Sequence, residues 1–224
     1  MKKRVKIDSA LLSSIIIITG FLFASRNLYP RNPFLDDTLD FLGFIVLLTG
    51  ILLRMAARGY KKAHSNKSRE LVTDGPYKLV RNPMYLGSFL IGAGFILIVW
   101  PWWSLPVFAV LFYLRFNKQI VKEEAFLEKL DSRRYQAYCR KVPRIFPSIA
   151  LMGKAGLKEF IDLKEAFSTK EQRGLWGWPL LAVLLESFQE QLVFEETIPS
   201  HTIMIFLMAA ILLIVVFAYY YQKK

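Results

Sequence analysis

Two polar stretches of this 224-residue chain carry the side chains that could do chemistry. The first reads Leu71-Val72-Thr73-Asp74-Gly75-Pro76-Tyr77-Lys78-Leu79-Val80-Arg81-Asn82-Pro83-Met84-Tyr85-Leu86-Gly87. Asp74-Gly75-Pro76 is strong turn chemistry, and Arg81-Asn82-Pro83 breaks the chain where an apolar run begins, with Pro83 suited to an early helix position. The second holds Glu123 and Glu124, then Tyr135 and Tyr138, then Lys141-Val142-Pro143-Arg144. Adjacent glutamates on a helix diverge by about 100°, so at most one of them faces a given pocket. Gln119 and Arg115, four and eight residues before Glu123, share its stripe. Phenols, an amide and a carboxylate in this arrangement suit a polar ligand. Read without one, they are a loop with a helix cap, an arginine reaching toward lipid phosphates, and an acidic pair that neutralises nearby cations. The lone Cys139 excludes an intramolecular disulfide and a cysteine-based zinc cluster, and His64 and His201 are too far apart for a local metal motif, so no metal is expected.

The elements that must position these residues are apolar. Hydrophobic residues make up 54% of the chain and aromatic residues 15%, which argues against disorder. A formal charge of +12 would suit a nucleic-acid surface, but such a domain would not also carry apolar runs the length of a bilayer core, and no nucleic-acid partner is expected. A span needs about 20 apolar helical residues. Residues 10–24 follow a basic start and read as a retained anchor, since Phe23-Ala24-Ser25 is a poor cleavage site. Further runs cover residues 41–57, 84–100 and 105–114, the last two joined through Pro101-Trp102-Trp103-Ser104. Aromatic residues favour the membrane boundary, so these two runs read as a helical hairpin. Residues 202–221 form an uncharged final span. Residues 175–194, interrupted by Glu186 and Glu190, read either as a span with functional carboxylates or as an amphipathic helix on the surface.

Charge sets the orientation. Eight Lys/Arg lie from Arg54 to Arg81 and nine from Arg115 to Arg144, which puts both loops and the basic N-terminus in the cytoplasm. Lys223-Lys224 falls inside, and Glu195-Glu196 outside, only if residues 175–194 cross. The expectation is an all-α, multi-pass integral membrane protein: a bundle of five to six transmembrane helices with cytoplasmic ligand-binding loops. Residues 1–58 hold the first two helices, 59–147 the core with the hairpin and both loops, and 148–224 a cytoplasmic connector and a C-terminal membrane extension.

In this order, and separated by a hairpin, LVTDGPYKLVRNPMYLG, EEAFLEKL and YQAYCRKVPRIFP resemble the isoprenylcysteine carboxyl methyltransferase and phospholipid methyltransferase superfamily of membrane enzymes. The resemblance runs from about Glu70 to Pro147. It implies S-adenosyl-L-methionine as cofactor and methyl transfer to a lipophilic, membrane-embedded acceptor. Carried over by position, it implies that Arg69, Glu70, Leu71, Val72, Tyr77, Asn82, Pro83, Met84 and Tyr85 line the cofactor pocket. Glu123, with Glu124 beside it, completes that pocket, and Gly92-Ala93-Gly94 matches a further cofactor-binding G-x-G, although small residues in a span also serve helix packing. No catalytic side chain is assigned, because in-line transfer from a sulfonium asks mainly for alignment.

Two positions depart from the pattern. Asn82 replaces a histidine; it donates and accepts hydrogen bonds but cannot become a cation. Gln119 replaces the arginine with which prenylcysteine enzymes grip a substrate carboxylate. Arg115 sits about 6 Å further along the axis, near the headgroups. With Gln119 and Arg115 as the acceptor-binding positions, a neutral or amine-bearing membrane lipid is expected rather than a prenylated cysteine. Both departures also keep open an NADPH-dependent membrane reductase of the sterol-reductase type, and a non-catalytic membrane protein retaining the fold.

Overall fold

The computed structural model describes residues 2–29, 32–65, 70–147, 160–195 and 199–222. Arg69, residues 148–159 of the connector, Glu196 and Lys223-Lys224 lie outside the described residues. Among those described there is no strand. The helices are α1 (Lys2–Ala24), α2 (Pro33–His64), α3 (Pro83–Val99), α4 (Ser104–Leu130), α5 (Ser132–Lys141), the single turn α6 (Leu163–Ala166), α7 (Gly174–Gln189) and α8 (Pro199–Gln222). Two of them, α2 and residues 200–219 of α8, are long and apolar enough to cross a membrane; residues 13–24 and α3 are shorter apolar helices.

α2 is the axis of the bundle. The Asn32 side chain accepts from the Leu35 amide, Pro33 opens the helix, and Lys61, Lys62 and His64 occupy its last turn, where cations meet the negative end of the dipole. Phe44, Leu47, Ile51, Met55 and Ala57 are buried along it. Glycines bring α3 against it in antiparallel register. A Cβ on Gly94 would lie 2.7 Å from the Gly43 oxygen and from the Leu47 amide nitrogen. One on Gly87 would lie 2.8 Å from the Gly50 oxygen. Backbone therefore meets backbone at two places one heptad apart, as small residues permit between apolar helices.

α3 turns into α4 through Trp100–Trp103. Trp100 Nε1 donates to Thr19 Oγ1 at 3.2 Å and Trp103 Nε1 to the Leu28 carbonyl at 3.3 Å, tying the turn to the end of α1. Phe89, Phe108, Phe112 and Phe116 pack edge-on and stacked along the α3–α4 seam. Gly92 opposes this seam: its Cβ would lie 2.3 Å from Phe108 Cζ. The G-x-G reading is corrected here. Residues two apart on a helix diverge by about 200°, so Gly92 meets α4, Gly94 meets α2, and neither is on the wall of the cavities described below.

On α7, Glu186 is fully buried, with its carboxylate beside Asp40 of α2. Asp36, Asp40, Glu186 and Glu190 each place an oxygen within 4.8 Å of the others. Trp176, Leu180, Leu184 and Phe188 are exposed instead.

The packing of the two glycines separates them experimentally. Gly94→Ala forces backbone against backbone and is expected to destabilise the fold by about 1–3 kcal/mol. Gly92→Ala meets only the far end of the Phe108 ring, which can swing aside. Thermal unfolding in detergent should show the larger fall in melting temperature for Gly94→Ala; equal shifts would contradict the packing.

Candidate functional site

The loop between α2 and α3 is shaped by Gly75, whose φ of +60° and contact with the Tyr60 ring (2.6 Å from a built Cβ) leave no room for a side chain. The turn buries Tyr77. Its hydroxyl donates to the Ala57 carbonyl at 3.4 Å, and its own carbonyl accepts from the Tyr138 hydroxyl at 2.7 Å. The Arg81 amide donates to the Pro143 carbonyl at 2.8 Å. Leu71, Tyr135, Tyr138 and Val142 form a small core beneath. Thus the two polar stretches, separated in sequence by the α3–α4 hairpin, are folded onto one another. Burial pushes the phenols of Tyr77 and Tyr138 well up, so both remain neutral donors.

Glu124 closes this junction. Its Oε1 accepts from Asn82 Nδ2 at 3.0 Å, and its Oε2 accepts from Arg144 Nε at 3.0 Å. Arg81 NH1 lies 3.6 Å from Oε1. Asn82 Nδ2 also donates to the Arg144 carbonyl at 3.2 Å, and Arg144 NH1 to Asn117 Oδ1 at 3.0 Å. Burial works against the charge on Arg81, but Glu124, Cys139 and Tyr135 around it together outweigh that, and its pKa is raised. Glu123 points elsewhere, as the helix requires. Its Oε1 accepts from the Tyr85 hydroxyl at 2.9 Å and from Gln119 Nε2 at 2.9 Å. The Gln119 amide is therefore committed to Glu123.

Glu123 stands on the wall of a cavity of about 1510 Å³ between the ends of α2, α3 and α4. Tyr77, Asn82, Pro83, Met84, Tyr85 and Gln119 share that wall. A neighbouring recess of about 30 Å³ shares Tyr77 and Asn82 and adds Glu70, Leu71, Val72 and Glu124. The structure thus gathers most of the sequence-predicted residues around one space. It leaves out Gly92 and Gly94, and also Arg115. The Arg115 guanidinium lies over the ring of the wall residue Phe116, 5.5 Å from its centre, on an exposed stretch of α4, and does not itself line the cavity. Arg69 lies outside the described residues.

Two sets of wall residues were not among the sequence-predicted ones. α2 contributes Arg54, Arg58, Lys61 and Lys62, and the segment after α6 contributes Ser168, Thr169, Lys170 and Glu171. The α2 cations were visible in the sequence, but only as markers of orientation. Nothing in residues 163–173 signals that they return to the first loop. Ser65 Oγ and Thr169 Oγ1 on this wall are buried without a hydrogen-bond partner among the described residues, and orphaned groups of this kind suit a polar ligand. A second cavity, of about 770 Å³, has Arg26, Asp36, Asp37, Glu190, Glu195 and His201 on its wall and none of the sequence-predicted site residues.

The family model described as phospholipid methyltransferase matches residues 40–134. The protein-S-isoprenylcysteine O-methyltransferase of Schizosaccharomyces pombe is 34% identical over 116 residues, 48% of this chain and 48% of that protein. The protein-S-isoprenylcysteine O-methyltransferase B of Arabidopsis thaliana is 30% identical over 115 residues, 48% of this chain and 58% of that protein. A probable protein-S-isoprenylcysteine O-methyltransferase of Oryza sativa subsp. indica is 27% identical over 118 residues, 49% of this chain and 62% of that protein. The chain therefore spans about half to three-fifths of the length of these relatives. No solved structure matches the chain.

The two glutamates should separate in stability. Glu124→Ala strands Arg81, 19% exposed, and takes its ion-pair partner from the half-buried Arg144, and losing charge-assisted hydrogen bonds of this kind costs on the order of 1.5–3 kcal/mol. Glu123→Ala breaks bonds to two neutral groups at an open wall and should lower the melting temperature far less. Chemical or thermal unfolding of both variants checks this; a larger loss for Glu123→Ala would contradict the assignment.

Proposed function

We propose, from the match of residues 40–134 to the phospholipid methyltransferase family model and the similarity to protein-S-isoprenylcysteine O-methyltransferases, that the cavity transfers a methyl group from S-adenosyl-L-methionine to a lipophilic acceptor drawn from the membrane. The observation that carries this reading is the setting of Glu123. The carboxylate is steadied on one oxygen by Tyr85 and Gln119, at the wall of a cavity of about 1510 Å³. Pockets for a single small ligand hold about 300–1,000 Å³, so this space accommodates a donor and an acceptor side by side.

The residues present fit the cofactor. Oε2 of Glu123 has no hydrogen-bond partner among the described residues and suits ribose hydroxyls or an α-ammonium. The orphaned hydroxyls of Ser65 and Thr169 add polar capacity. Tyr77 and the turn from Asn82 to Tyr85 would hold the amino-acid and ribose parts, with the recess at Glu70, Leu71 and Val72 beside them. Glu124 acts at one remove: it fixes Asn82 and both arginines, and through them the shape of the turn.

When bound, the cofactor supplies a methyl already activated by a sulfonium. The chain's own task is alignment and exclusion of water. Phe116 and Phe126 give the wall an apolar side toward α4. Outside them, Val107, Val110, Leu111 and Leu114 are exposed on α4, which suits a helix in lipid and an acceptor that arrives sideways. In this reading α1, α2, α3, α4, α7 and α8 are six transmembrane helices, with the N-terminus and the cavity on the cytoplasmic side. The basic loops and the outward leucines of α7 support it.

Isothermal titration of the purified protein with S-adenosylhomocysteine tests the proposal. Wild type should bind, and Glu123→Ala should bind about ten- to a hundredfold more weakly, the loss of a charge-assisted hydrogen bond. A wild-type protein that ignores S-adenosylhomocysteine and binds NADPH would overturn it.

A further inference from the structure

The basic wall of the cavity has a feature that cofactor binding leaves unexplained. Arg54, Arg58, Lys61 and Lys62 recur at i, i+4, i+7 and i+8 of α2, one helical face turned to the cavity. The first of them already grips a carboxylate. Arg54 Nε donates to Glu171 Oε2 at 3.2 Å and NH2 to Glu171 Oε1 at 3.2 Å, while NH1 donates to Ser88 Oγ. This two-pronged fork is the geometry by which arginine recognises carboxylates and phosphates.

Glu171 comes from outside the segment matched to the family, on a strap seated against α2. Gly59 makes the seat possible, since a Cβ there would lie 2.2 Å from the Glu165 carbonyl oxygen. Lys62 Nζ donates to the Ser168 carbonyl at 2.8 Å. The side chains of Arg54 and Glu171 are 29% and 27% exposed, so water reaches the pair. Exchanging Glu171 for another oxyanion conserves the charge pairing and releases Glu171 to solvent, a near-neutral swap.

We infer that Arg54 is the grip for an oxyanion, carboxylate or phosphate, on the lipophilic acceptor, and that Glu171 is the internal carboxylate holding its place until the acceptor displaces it. The inference rests on the methyltransferase reading for the word acceptor; the anion subsite itself stands on the fork and the basic face. It also revises the expectation drawn from Gln119. The arginine missing from α4 has a counterpart across the cavity, on α2, and an anionic group returns to the acceptor.

The test uses the full chain in dodecyl maltoside, titrated with oleate, dodecyl phosphate, dodecylamine and inorganic phosphate, each preparation also titrated with S-adenosylhomocysteine. Oleate and dodecyl phosphate should bind and dodecylamine should not. Glu171→Gln, which removes the competing charge, should tighten both anions about tenfold, a gain that misfolding cannot produce. Arg54→Gln should abolish anion binding, and Arg54→Lys, which keeps the charge without the fork, should restore only part. Unchanged anion affinity in Glu171→Gln or Arg54→Gln would overturn the inference, as would equal binding of the amine. Inorganic phosphate binding as tightly as dodecyl phosphate would assign the subsite to a soluble anion and overturn the lipophilic acceptor. Failure to bind S-adenosylhomocysteine, with the anion effects intact, would sink the methyltransferase reading and leave the subsite. Intact S-adenosylhomocysteine binding without the anion effects would sink the subsite alone.

Discussion

The site depends on one desolvated carboxylate. Glu124 joins Asn82 at the start of α3, Arg81 just before it and Arg144 beyond α5, segments far apart in sequence. Charges held mostly out of water are costly unless paired, and the pairing of Glu124 with Arg81 and Arg144 ties both loops together. Asn82 suits this position for a plain reason. One amide nitrogen serves the Glu124 carboxylate and the Arg144 carbonyl together, with no additional charge to accommodate. With Glu124 turned into the junction, the helix throws its neighbour Glu123 to the other side, onto the cavity wall beside Tyr85.

A second constraint is the close approach of α2 and α3 at Gly43–Gly94 and Gly50–Gly87. It fixes the rotation of α2 and therefore where Arg54, Arg58, Lys61 and Lys62 point. At the far end of the same helix, Gly59 admits the backbone around Glu165. One run of small residues on α2 thus serves twice, packing the core and seating a strap that belongs to the C-terminal extension. The cavity is a joint product of the family-matched segment and that extension, with a carboxylate wall at Glu123 facing a cationic wall on α2.

Much of this was legible in the sequence where local rules suffice. The 3.6-residue period separates Glu123 from Glu124 and pairs Gln119 with Glu123, and the structure shows both. Pro83 and the Trp-flanked turn mark the ends of α3. The family resemblance agrees with the match over residues 40–134. What was not legible depends on contacts between distant segments. Gly92-Ala93-Gly94 has the spacing of a ligand loop, but spacing cannot say which neighbour each glycine faces. Arg54 looks like an orientation marker until Glu171 is placed against it. Arg115 shares the Glu123 stripe, yet its guanidinium packs on the Phe116 ring and does not itself line the cavity. Glu186 and Glu190 read from the sequence as acids of a span or of an amphipathic surface helix; that Asp36 and Asp40 of α2 face them was not legible.

In the proposed function the cavity between α2, α3 and α4 binds the methyl donor, with Glu123 rather than Glu124 as its carboxylate partner. A cryo-electron microscopy structure in lipid nanodiscs with S-adenosylhomocysteine tests it directly. Ligand density is expected beside Tyr85, within hydrogen-bond distance of Glu123, with the cluster of Glu124, Asn82, Arg81 and Arg144 unbroken. Density in the acid-walled cavity at Arg26 and His201, or a ligand held by Glu124 with the cluster broken, would contradict it.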